Sequence, residues 1–238
     1  MVDTQLMRRF ATRPRTWTVG AATAALLAAS TLAASSPAPA SPKAFVPAVG
    51  HYQGDVDLLF LPASLRFDVT RDTAPNGESF WADHFRCDCE SIADHRRLIG
   101  ADHRFWFYGA PQGTFRGHFV DARHVVGRAE LCCGFGTVDW RAHLVEAGTP
   151  PRFTSAARFE LEVGQESDWR VESEGHPAYT VYGTLPAGVH FVEAFGIGHL
   201  RGTPKPGSEG THHVDIAATG RWGVAHQRLT LVVRPRSG

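Results

Sequence analysis

Among the thirteen histidines of this 238-residue chain, the arrangement best suited to moving a proton is His212-His213-Val214-Asp215. On a strand, His213 and Asp215 share one face, so the carboxylate can orient the imidazole as a general base or as a metal ligand. His212 falls on the opposite face with Val214 and Ile216 and belongs at a core edge. Glu193 is an acid inside the apolar run from Val189 to Phe195, and His118 and His124 flank a loop end. If their strands lie beside the C-terminal ones, these groups converge on one opening with His213 and Asp215. Such a set of imidazoles and carboxylates suits zinc, copper or iron better than calcium. The histidines are nevertheless dispersed, with no H-E-x-x-H and no close H-x-H, so no metal ligand set and no cofactor is assigned. Ser208 lacks the G-x-S-x-G elbow that would activate it.

The second kind of chemistry is recognition. Trp81, Trp106, Tyr108, Trp140, Trp169 and Trp222 offer stacking area for a sugar or an apolar ligand. In His103-Arg-Phe-Trp-Phe-Tyr, Phe105 and Phe107 take one face of a strand while Trp106 and Tyr108 take the other. That makes Trp106 and Tyr108, with His118 and His124, the expected ligand-binding set.

The elements carrying these residues read as short strands. Val56, Leu58 and Phe60 alternate with Asp55 and Asp57, and Leu65, Phe67 and Val69 with Arg66, Asp68 and Thr70. Leu61-Pro62-Ala63-Ser64 reads as a turn or an edge interruption, Pro111-Gln112-Gly113 as a turn, and Asp72–Glu78 as a loop around Asn76-Gly77. Phe115 and Phe119 point inward, opposite Arg116 and His118. Val138, Trp140, Ala142 and Leu144 form the cleanest half-buried strand of all. Phe159, Leu161 and Val163, then Trp169 and Val171, continue the pattern. Tyr179–Tyr182 and Val189–Phe195 read as a hairpin, Ile197–Gly210 as a long surface loop, and His212–Ala217 and Arg228–Val233 as the closing strands. Residues 90–99 are the one stretch with helical spacing. About ten short strands predict an all-β fold, an antiparallel sandwich or a closed barrel.

Four cysteines, Cys87, Cys89, Cys132 and Cys133, allow three pairings. The expected one joins Cys87 and Cys89 each to one member of the later pair, because adjacent and i,i+2 bonds demand strained geometry. Cys-x-Cys followed much later by Cys-Cys lacks the paired spacing of a zinc site. The predicted fold is therefore disulfide-stabilised.

The N-terminus sets the compartment. Arg8, Arg9, Arg13 and Arg15 precede an apolar run from Val19 to Ala34, followed by a Ser/Pro/Ala-rich stretch, which is signal-peptide order. Residues 1–40 are read as the signal, 41–50 as a flexible linker and 51–238 as a single all-β domain, secreted or otherwise extracytoplasmic. Arg8-Arg9 also admits twin-arginine export, with general secretion preferred. No later run is long enough to span a membrane as a helix. Lys+Arg and Asp+Glu are equal at 24 each, which argues against nucleic acid as a partner. The leading expectation is a secreted domain binding a small molecule, a glycan or a surface protein. The alternatives are a small β-barrel enzyme, a cyclase, isomerase or metal-assisted catalyst using His213 and Asp215, and a structural envelope protein. Oligomeric state is left open.

Overall fold

The computed structural model describes residues 44–58, 63–89, 91–93, 95–108, 113–131 and 136–237. The expected signal segment, Cys132 and Cys133, and Leu61-Pro62 and Pro111-Gln112 of the two expected turns lie outside the described residues, while Ala63 and Ser64 of the first turn are strand residues. Alternation of large apolar with polar side chains yields strands throughout, and no helix occurs among the described residues. Nor is any described helix long and apolar enough to cross a membrane.

The first half of the fold holds β1 (Gly50–Val56), β2 (Ala63–Ala74), β3 (Gly77–Cys87), β4 (Ser91–Ala93), β5 (Arg97–Leu98), β6 (Arg104–Tyr108), β7 (Thr114–Phe119), β8 (His124–Leu131) and β9 (Gly136–Ala147). They pair antiparallel in the order β3-β2-β1-β9-β8-β7-β6, with β4 and β5 on the outer edge of β3. The sheet curls until Phe85 on β3 stacks on Phe107 of β6 at 4.6 Å and meets Phe115 of β7 at 4.6 Å. Among the described residues no ladder joins β3 to β6, so the fold is an open sandwich and the closed-barrel option is set aside. Inside, the Phe67 ring contacts Tyr52, Phe105, Phe107 and Trp140, giving a core built of aromatics.

Trp140 fits because the strands beside it carry glycine where a side chain would point inward. Gly117 and Gly127 face each other across β7 and β8. A Cβ on Gly127 would stand 2.3 Å from the Trp140 ring, and one on Gly117 2.5 Å from Phe105. The indole occupies the volume those side chains would need.

The second half holds β10 (Arg152–Phe153), β11 (Arg158–Glu162), β12 (Ser167–Val171), β13 (Ser173–Glu174), β14 (Ala178–Tyr182), β15 (Val189–Ala194), β16 (Ile197–Gly202), β17 (Gly210–Gly220) and β18 (Gly223–Arg234). Sheet β11-β18-β17-β14 faces sheet β12-β16-β15, while β10 and β13 form a separate pair. β11 runs parallel to β18, and every other pairing within these two sheets is antiparallel. The core between them is mainly aliphatic, with Val171 and Leu200 on one side and Val214, Ile216, Leu229 and Leu231 on the other. The two halves share one sheet, because Gly223–Ala225 of β18 pairs parallel with Arg71–Thr73 of β2.

Several expected elements come out differently. Residues 91–93 and 97–98 are strands returning on β3, where three ladder pairs with Phe85, Arg86 and Cys87 outweigh one turn of helical spacing. β1 starts at Gly50 and ends at Val56, so its inward residues are Tyr52 and Val56. The Asp72–Glu78 loop shrinks to a two-residue hairpin, Ala74 pairing with Gly77. β14 and β15 are not a hairpin: they belong to opposite sheets. The stretch from Ile197 to Gly202 is a core strand, not a loop. Gly198 conceals its alternation, because the Phe191 ring sits where a Cβ would be, 2.5 Å away. Ala44–Val49 is held against the fold: Ala48 N–H donates to Ala122 O, Gly148 N–H to Val49 O, and Phe45 stacks on His103 at 4.1 Å.

Candidate functional site

β17 places His213 and Asp215 on its solvent face, opposite buried Val214 and Ile216, as the alternation predicts. They are not bonded to each other. Asp215 faces Arg228 on β18, with Nε 3.3 Å from Oδ1, and His213 Nδ1 lies 3.4 Å from Thr230 Oγ1. Each side chain answers its cross-strand neighbour, so the carboxylate does not orient the imidazole. His212 turns to the core edge, its Nε2 2.9 Å from Ser208 O.

Glu193 is in the other sheet, on β15, where Oε2 accepts the Tyr179 N–H at 2.8 Å. That amide belongs to the outer edge of β14, so the carboxylate caps a sheet edge. His118 and His124 sit on β7 and β8. The sheet path from β17 to β8 crosses β18, β2, β1 and β9, so no ladder sets His118 or His124 beside His213 and Asp215. Among the described residues, the bonded partners of His213 and Asp215 are Thr230 and Arg228, and not Glu193, His118 or His124. Among the described residues, no three His, Cys, Asp or Glu side chains form a group arranged to hold a metal ion.

Trp106 and Tyr108 are 49% and 60% exposed on β6, with Phe105 and Phe107 buried behind them. They stand at one margin of the outer face of β6 to β9. A trough of about 1160 Å³ runs across that face, lined by Trp106, Arg104, Arg116, His118, Arg128 and Arg141 among others. Ladder register explains the assembly: Trp106, Arg116, Arg128 and Asp139 are successive cross-strand partners, and so are Arg104, His118, Val126 and Arg141. Arg97 reaches over one face of Trp106, its guanidinium carbon 4.4 Å from the ring centroid. Arg116 pairs with Glu130 at 3.3 Å, Arg128 with Asp139 at 3.0 Å and Arg141 with Asp57 at 3.6 Å. Sequence reasoning misses these arginines, because residues scattered between Arg97 and Arg141 look like a solvated face until register aligns them.

The cysteines correct the expected pairing. The chain turns at Asp88 and Cys89 and returns as β4, with Ser91 opposite Cys87. Cys89 is thereby folded back beside Cys87, and the two form a disulfide with a Cα–Cα distance of 5.0 Å. The i,i+2 bond, expected to be unfavourable along an extended strand, forms here across a turn. Closing so short a loop contributes about 1.5 kcal/mol on chain-entropy grounds, less than a bond across the sheet.

No protein-family model matches the chain, and no curated protein matches it. Among solved structures, a titin Ig tandem is similar over 81% of this chain and 92% of that chain, at 11% identity and a TM-score of 0.31. Immunoglobulin domains 1–4 of Sidekick-1 cover 77% of this chain and 49% of that one, at 14% identity and a TM-score of 0.28. Titin domains Z1Z2 in complex with telethonin cover 59% and 88%, at 14% identity and a TM-score of 0.32. The strand connectivity of the second half is itself immunoglobulin-like: β12, β16 and β15 oppose β14, β17 and β18, with β11 parallel beside the last strand. The inter-sheet disulfide of antibody domains has no counterpart, the buried positions on β12 and β17 being Val171, Val214 and Ile216.

Proposed function

We propose that this chain is an exported binding module that recognises a partner protein across the outer face of β6 to β9. The observation that carries the reading is the trough itself, where exposed Trp106 and Val126 lie among arginines, with exposed Tyr108 two residues along β6 from Trp106. Tryptophan, tyrosine and arginine are the residues that dominate protein–protein hot spots. A sugar is the weaker fit, because stacking needs an open indole face and Arg97 already covers one face of Trp106. The enzyme reading loses its proton-transfer pair, since Asp215 is engaged by Arg228.

The test replaces Tyr108 with a photo-crosslinking amino acid in the full chain and irradiates cells producing it. The expected result is a discrete protein adduct that Trp106→Ala abolishes, while the same crosslinker at Tyr182, similarly exposed on β14, yields none. Identical adducts from both positions, or none at Tyr108, would overturn the proposal. Export rests on the arginine-rich and apolar segments that begin the sequence, and N-terminal sequencing of protein recovered outside the cytoplasm tests it. A start at Met1 would refute cleavage.

A further inference from the structure

The outer face of the same sheet holds a second feature, away from Trp106 and independent of any partner. His124 on β8 lies directly opposite His143 on β9. Both side chains point to solvent, since Val125, Ala142 and Leu144 beside them are buried. The type of pairing follows from the hydrogen bonds. Val120 N–H donates to His124 O, so the polar backbone groups of His124 turn toward β7. Leu144 N–H donates to Arg123 O, which makes the next pair along β8 and β9 the hydrogen-bonded one. His124 and His143 are therefore a non-hydrogen-bonded pair, the kind with the closest side chains, with Cα atoms about 4.5 Å apart. From Cβ positions about 4.5–5.5 Å apart, two imidazoles can present nitrogens about 3.3 Å from each other, the bite of two tetrahedral Zn–N bonds of about 2.0–2.1 Å.

One imidazole is already oriented. His124 Nδ1–H donates to the Asp121 carboxylate, 2.9 Å from Oδ2, and Asp121 is itself fixed by the backbone N–H groups of Arg123 at 2.7 Å and His124 at 2.9 Å. This is the carboxylate–histidine relation that sets the tautomer of metal-bound histidines and frees Nε2 for the ion. The pair opens onto a depression of about 350 Å³ that Asp55 and Arg141 also line. The Arg141 guanidinium is drawn to Asp57, 3.6 Å away, which leaves the Asp55 carboxylate as the acidic group of that depression.

We propose that His124 and His143 bind a divalent transition metal ion, zinc, copper or nickel, with Asp121 as the positioning residue and water in the remaining positions. Imidazole donors select these ions over magnesium and calcium.

Titrating zinc chloride into the full chain by calorimetry tests the site. One equivalent should bind, and binding should vanish in His124→Gln and in His143→Gln, exposed substitutions whose thermal unfolding should match the parent chain. Asp121→Asn should weaken zinc binding about tenfold or more. His213→Gln, on the other half of the fold, should change nothing. Zinc uptake that survives His143→Gln belongs to other histidines and overturns the assignment, as does a parent chain that takes up no zinc.

Discussion

The two halves of this protein are both built of mainly antiparallel strands, yet they are filled differently. The first is packed with rings, Tyr52, Phe67, Phe85, Phe105, Phe107, Phe115, Phe119 and Trp140. The second is packed mostly with Val, Leu and Ile, with Phe159 and Tyr179 toward its edges. Their outer faces differ as well. On β17 and β18 charged residues pair with the neighbour opposite, as Asp215 does with Arg228. On β6 to β9 charges pair likewise, Arg116 with Glu130 and Arg128 with Asp139, but exposed Trp106 stands among them at the trough. In the aliphatic half a smaller depression of about 440 Å³ is lined by Glu160, Glu166, Trp169 and Arg234 among others.

Substitutions in matched core positions sharpen that contrast. Phe67→Ala, at the centre of four ring contacts, should cost about 3–5 kcal/mol, whereas Ile216→Val in the second core should cost about 0.5–1.5 kcal/mol. Chemical denaturation measures both, and equal losses would break the distinction. Gly127→Ala should cost about 1–3 kcal/mol by overpacking against Trp140. Because Trp140 must shift, its fluorescence should change in the folded state. An unchanged spectrum with full stability would show that the glycine pair is not what seats the indole.

The smallest effect concerns pH. A hydrogen bond from His199, 2.9 Å away, holds the Asp168 carboxyl below its ordinary value of 3.8. A lowered folded value means that the contribution is complete above 3.8 and is lost as pH falls through the lower folded value. Asp168 is exposed, so the effect is best read as the titration of its own carboxyl carbon by NMR. His199→Ala should return it toward 3.8, and no movement would dismiss the bond.

Alternation carried much of this architecture into the sequence. Val138, Trp140, Ala142 and Leu144 lie inward on β9, and Phe105 and Phe107 turn inward opposite Trp106 and Tyr108, as their spacing requires. Where glycine stands in an inward position, as at Gly198, the period disappears and a strand reads as a loop. Pairing across space was less legible. The distance between His213 and His118, the return of Cys89 on Cys87 and the juxtaposition of His124 with His143 all depend on ladder register, which no local spacing encodes.

The parallel contact between β2 and β18 bears on the order in which the chain can assemble. Val224 N–H donates to Asp72 Oδ1 at 3.0 Å across a sequence separation of 152 residues. β2 is made well before β18, so this seam waits until β18 has been made. Until then the edge of β2 beyond its pairing with β1 has no permanent neighbour there. Contacts of such separation are slow to close, which makes the seam a late event in folding and puts its completion, and that of the second core, in the hands of the 12 residues of β18.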